Sequence, residues 1–134
     1  MAELLPEAFY VRDALDVALD LLGMWLVRDE VVLRITEVEA YRWPDDSASH
    51  CRAGRTSRNA AMWGGPARAY VDQCYGIHQM LNIVTNPDGQ GAAVLIRGCE
   101  PVQGIRTVLA VADSRWVSHR RGLQQIQGRL DLAP

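Results

Sequence analysis

Two carboxylates, Glu37 and Glu39, stand two residues apart in a segment (31–41) that otherwise reads as a β-strand. Alternate side chains of a strand share a face. Leu33 and Ile35 are apolar on one face and Arg34 and Thr36 polar on the other. Continued alternation therefore puts Glu37, Glu39 and Tyr41 on the face that began apolar. A carboxylate on a core-facing parity is costly unless it is paired or used. Partial burial makes such a group more basic, which suits a general base. A bulge that turns both glutamates to solvent is the alternative, and the pattern does not choose between Glu37 and Glu39. A second site of interest is Tyr75-Gly76, a tight connection between two strand-like runs, 69–74 and 77–84. An aromatic at such a tip is suited to wedge between base steps in a minor groove. Folding back as a lid on the core is its other reading.

Composition removes several chemistries. The chain of 134 residues contains no lysine, so a lysine imine to a sugar, the step a strand-nicking lyase needs, is excluded for these residues. Cys51, Cys74 and Cys99 are odd in number and form no CxxC pair, and His50, His78 and His119 lack ligand spacing, so no metal site is expected. Neither a P-loop nor a dinucleotide glycine motif is present, so no cofactor is expected. Net charge is −2, but its distribution is uneven: three arginines against nine acids through Glu39, then eleven against seven from Ala40 onward. A basic face on an acidic chain is still what a phosphate meets. No apolar run is long enough to span a bilayer, and the acidic start is unlike a signal peptide. The expected location is cytoplasmic, at the nucleoid, with no membrane partner.

The elements that must position these residues are legible in outline. Length and composition fit one domain, 1–134. Asp13 can cap a helix running to Leu22, with Leu15, Ala18, Leu19 and Leu22 as its apolar stripe and Gly23 as its stop. Strands follow at 24–28 and 31–40, joined by a turn at Asp29-Glu30. From Tyr41 to Arg68 comes a long polar stretch, with one helical turn near 45–50, of a kind that is often functional. The two hairpin strands come next, then a turn at Asn86-Pro87-Asp88-Gly89 and a strand at 92–98. A helix is expected beyond Pro101, followed by a poorly patterned tail. The predicted fold is α+β: a single compact domain, mainly antiparallel sheet, with flanking helices and a protruding β-hairpin.

In order and spacing, EVEAY (37–41), PDDSASH (44–50), GRTSRNAAMW (54–63), AYV (69–71), YG (75–76), LN (81–82) and AAVLIRGCEP (92–101) resemble the alkyladenine (3-methyladenine) DNA glycosylases. LLPEAFY and ALDLLG match that family's opening, and the resemblance covers about 5–104. It implies a monofunctional glycosylase of base excision repair. Such an enzyme flips damaged purines from double-stranded DNA and hydrolyses the N-glycosidic bond, using no cofactor. By the same resemblance Glu39 holds the attacking water and Arg97 helps position it. Tyr41 and His50 contact the flipped base, Asn82 guards against the amino group of guanine, and Tyr75 fills the vacated space. Arg52, Arg55, Arg58 and Arg68 are candidates for the DNA backbone.

The chain departs from that pattern in two places. Asp72 stands where the family has a further aromatic wall of the base pocket. The tail 105–134 is a shortened and divergent echo of a longer region, so a closing strand is expected to be missing and a sheet edge exposed. A lesion-binding or degenerate family member without cleavage is the alternative function.

Overall fold

The computed structural model describes residues 3–42, 54–57, 60–74, 78–87, 89–113 and 131–133. Six antiparallel strands form one sheet in the order β3-β4-β5-β2-β1-β6. They are β1 (Trp25–Arg28), β2 (Val31–Tyr41), β3 (Ala69–Cys74), β4 (His78–Val84), β5 (Ala93–Gln103) and β6 (Asp131–Ala133). A helical turn α1 (Glu7–Tyr10) and helix α2 (Ala14–Leu21) precede β1, and helix α3 (Ile105–Asp113) follows β5. The α+β prediction holds. The hairpin tip at 75–77 lies outside the described residues, as does the helical turn expected near 45–50.

Helix α2 begins where predicted, with the Asp13 carboxylate accepting from the Leu15 amide at 2.9 Å. Gly23 ends it at φ 84°, a left-handed conformation that costs glycine little. The expected stripe is wrong in phase. Ala14, Val17, Ala18 and Leu21 are the buried residues, whereas Leu15, Leu19 and Leu22 are exposed. Ala18 is buried as expected; helical spacing fits both stripes, and burial falls to the one that adds Ala14 to it. Ala14 and Ala18 let the helix lie close on the sheet, where Val17 and Leu21 pack with Leu26, Ile35, Ile83 and Val94.

The feature that places Glu37 and Glu39 is a break in strand parity. β2 pairs with β5 as Ile35↔Cys99, then Glu37↔Gly98, then Val38↔Ile96, so Thr36 on β2 and Arg97 on β5 are each an extra residue. Both strands change phase at one place. Leu33 and Ile35 face α2, and beyond the bulges Val38 and Ala40 take over that face, as Cys99 gives way to Ile96 and Val94 on β5. The expectation that Glu37 and Glu39 continue the face of Leu33 and Ile35 is therefore corrected. The bulge turns them to the opposite side of the sheet.

β5 is longer than predicted because it runs through Pro101, which pairs with Leu33 beside another register shift. A proline is tolerated there because, among the described residues, β4 pairs with β5 only over Ala93–Leu95. At the far edge β6 pairs with β1 from Trp25↔Ala133 to Val27↔Asp131. The open edge expected from the divergent tail is thus covered by a three-residue strand. Among the described residues no helix is long and apolar enough to cross a membrane.

Candidate active site

The face of the sheet away from α2 collects the polar residues. One register row crosses four strands: Glu39 on β2 pairs with Leu95 on β5, Leu95 with Asn82 on β4, and Asn82 with Tyr70 on β3. Paired residues of antiparallel strands point to the same side, so these side chains share a face. The strand spacing puts the backbones of Glu39 and Asn82 roughly 10 Å apart. Tyr41 and Asp72 occupy the neighbouring rows of that face, and Arg97, the extra residue of β5, reaches it from the bulge.

Glu39 is gripped from two sides. Arg97 Nη1 donates to its Oε1 at 2.8 Å, and the Tyr41 hydroxyl donates to its Oε2. The Glu39 side chain is 39% exposed, so it is reachable from solvent yet partly shielded. Such a carboxylate can accept a proton from a bound water while its orientation is fixed by the two donors. Arg97 also reaches Glu37, with Nε 3.5 Å from Oε1. Two carboxylates therefore share one guanidinium.

The floor beside this cluster is buried. Asp72 is 5% and Asn82 6% exposed. The Tyr70 hydroxyl donates to Asp72 Oδ1 at 3.3 Å, within the same strand and on the same face. The Asn82 amide donates to the carbonyl of Met80 at 3.0 Å and to that of Tyr70 at 3.3 Å, which fixes the side chain against the β3–β4 ladder. The other end is sealed by Met62 and Trp63, from a 3-10 turn (Ala60–Trp63) in the long loop. They pack with Tyr41, Tyr70, Val84 and Ala93. The Gly89 amide holds the Trp63 carbonyl at 3.0 Å, tying that turn to the β4–β5 connection.

β2 leaves the site at Tyr41, and the next residue is anchored to the helix cap. Arg42 Nη1 lies 3.0 Å from Asp13 Oδ2. Burial works to raise the Asp13 carboxyl, but the Leu15 amide and the Arg42 guanidinium outweigh it and hold the group below its ordinary value. Burial pushes the Cys99 thiol up, as expected for a small core-facing hydrophobe.

Of the predicted site residues, Glu39, Arg97 and Tyr41 are in contact, and Asn82 and Asp72 lie on the same face. Arg55 and Arg68 are exposed. His50, Arg52, Arg58 and Tyr75 lie outside the described residues. Sequence reasoning left Glu37 as the unused half of a pair, and strand alternation put Tyr70 on the face of Asp72 without giving it a role as that residue's hydroxyl partner. A signal for the bulge was present. The apolar positions of β2 change from odd (Leu33, Ile35) to even (Val38, Ala40), and a glycine, Gly98, interrupts β5 opposite that change.

A partly shielded carboxylate, oriented by an arginine and a tyrosine beside a buried polar floor, has the makings of a site for water-driven bond cleavage. The chain belongs to the methylpurine-DNA glycosylase family, whose model matches residues 8–131. It is 53% identical over 122 residues to the DNA-3-methyladenine glycosylase of Arabidopsis thaliana, covering 91% of this chain and 44% of that one. A protein of Nitrosococcus oceani with the provisional name 3-methyladenine DNA glycosylase is 64% identical over 105 residues, 78% of this chain and 52% of its own. One of Streptomyces avermitilis under the same provisional name is 41% identical over 133 residues, covering 96% and 61%. The chain spans about half the length of the curated relatives it matches.

Proposed function

We propose that this chain carries the catalytic face of a monofunctional DNA glycosylase that releases damaged purines from duplex DNA. The observation that carries the reading is the grip on Glu39 by Arg97 and Tyr41. Glu39 accepts a proton from water as the water oxygen bonds to the sugar C1′. The bond from C1′ to the base breaks, and the base leaves with that electron pair. The sugar gains oxocarbenium character on the way, and a nearby carboxylate stabilises that charge. Arg97 helps hold the water. A chain without lysine has no lysine amine to carry the reaction on to strand cleavage.

In this reading the damaged nucleotide is flipped out of the stack, Tyr75 fills its place, and Tyr41 and His50 line the pocket with Asn82. Arg52, Arg55, Arg58 and Arg68 contact phosphates. Asp72 gives the pocket a buried carboxylate beside the Tyr70 hydroxyl. Its charge favours cationic lesions such as 3-methyladenine and 7-methylguanine over the neutral hypoxanthine and ethenoadenine.

The test is base release from duplexes carrying each of these lesions, read as strand breaks after alkali. Release that disappears in Glu39→Gln supports the reading. Breaks that persist in that variant remove Glu39 from the mechanism, and breaks without alkali contradict the monofunctional assignment. Salt-dependent binding with no release would mark a lesion-binding protein instead. Equal release of cationic and neutral lesions, unchanged by Asp72→Tyr, would remove the role given to Asp72.

A further inference from the structure

Glu37 has no part in the reaction outlined above, yet the fold goes to some length to bring it to Arg97. A matched pair of bulges places Thr36 and Arg97 outside the regular ladder, and this turns Glu37 and Glu39 to the same side together. Opposite Glu37 stands Gly98. A Cβ there would lie 3.3 Å from Glu37 Cβ, 3.1 Å from Thr36 Oγ1 and 3.6 Å from Glu37 Oε2. The Glu37 carboxylate thus lies back over a residue without a side chain, toward its neighbour Arg97.

The geometry of the guanidinium shows what this contact does. An arginine left alone with one carboxylate favours a fork of two parallel bonds. Arg97 instead gives Glu39 a single bond, from Nη1 to Oε1, while its Nε lies 3.5 Å from Glu37 Oε1. Glu39 Oε2 remains available for the Tyr41 hydroxyl. Arg97 Nη2 has no partner among the described residues, so donors remain for a third group. With two carboxylates and one guanidinium the cluster also stays net negative, which suits a site where positive charge develops.

We propose that Glu37 is a positioning residue for base release, acting through Arg97. It turns the guanidinium so that Arg97 binds Glu39 through one nitrogen and keeps another for the attacking water. The inference rests on the glycosylase reading. Glu37 is 66% exposed at its side chain and packs in neither apolar cluster, so its loss is not expected to unfold the chain.

A double-mutant cycle tests it, with single-turnover base release, duplex affinity and thermal unfolding measured on the same proteins. Glu37→Gln is expected to slow release by about tenfold, the scale of coupling between groups that share one partner, at unchanged affinity and unchanged Tm. Glu37→Asp, which keeps the charge, recovers part of that loss. In an Arg97→Met background Glu37→Gln slows release no further. The proposal is overturned if Glu37→Gln leaves the rate alone, slows it equally with and without Arg97, or slows it only in step with a fall in Tm. Release that depends on Glu39 but not on Glu37 overturns this proposal and leaves the glycosylase reading standing. A wild-type protein that releases no base removes both.

Discussion

Two ion pairs join β2 to β5 on the same face of the sheet, one before the paired bulge and one built on it, and they are built differently. Before the bulge, Arg34 meets Glu100, one cation for one anion, with both side chains about half exposed. At the bulge, Arg97 faces both Glu37 and Glu39, and Tyr41 adds a hydroxyl to the second. The first is an ordinary cross-strand pair of the kind that contributes little to stability. The second has more acceptor than donor and leaves a carboxylate held in position without being neutralised. The strand is continuous through both. The change of phase separates a one-to-one ion pair from a guanidinium shared by two carboxylates.

The sharpest way to separate the two halves is to remove the charge of Glu39. Glu39→Gln is expected to lower single-turnover base release by roughly 10²–10⁴-fold, the usual worth of a positioned general base, with the Tm unchanged. The opposite pattern is expected from Leu21→Ala, under the regular half of the sheet. Leu21 is fully buried against the core, so truncation costs about 2–5 kcal/mol in urea or thermal unfolding. Leu19→Ala on the exposed side of the same helix should stay within about 0.5 kcal/mol. Equal effects of the two leucine substitutions would show that the phase assigned to α2 is wrong.

Gly98→Val addresses the junction itself. The new side chain meets Thr36 and Glu37 at distances that force one of them to move, for a cost of about 1–3 kcal/mol. Base release should fall more than stability does, because Glu37 is displaced from Arg97; a loss of stability alone would speak against that coupling. A smaller effect than at Gly98 is expected at Asp13, which ties the exit of the site half to the cap of α2. Asp13→Ala should cost about 1 kcal/mol at neutral pH, as loss of a helix cap does. The folded-state value of this carboxyl is depressed below the ordinary 3.8, so its contribution is present above that value. It is lost as pH falls through the lower folded value. Unfolding of the variant and the parent should therefore converge in strong acid.

Sequence reasoning reached most of the elements. Asp13, Gly23, Asn86 and Gly89 carry their conformations in their residue types, and the motif order grouped Glu39, Tyr41 and Arg97, which the structure brings into contact. What it misjudged depends on contacts far apart in the chain. Two stripes of α2 that share Ala18 satisfy the same helical period, and only the sheet beneath selects Ala14, Val17 and Leu21 over Leu15, Leu19 and Leu22. The parity of Glu37 and Glu39 depends on a bulge in β2 matched by one in β5, about sixty residues away along the chain. The short strand at Asp131–Ala133 exists because β1 offers it an edge, and three residues carry no periodicity of their own.

The β4–β5 ladder has a mechanical consequence. It consists of three residue pairs, Asn82↔Leu95, Ile83↔Val94 and Val84↔Ala93, while β3 and β4 pair with each other over six. The hairpin is stiff within itself and joined to the rest of the sheet by a short seam. The carboxylates and Arg97 stand on one side of that seam, and Asp72 and Asn82 on the other. Any rotation about those three rungs would shift Asp72 and Asn82 relative to Glu39 and Arg97 while leaving each half paired within itself.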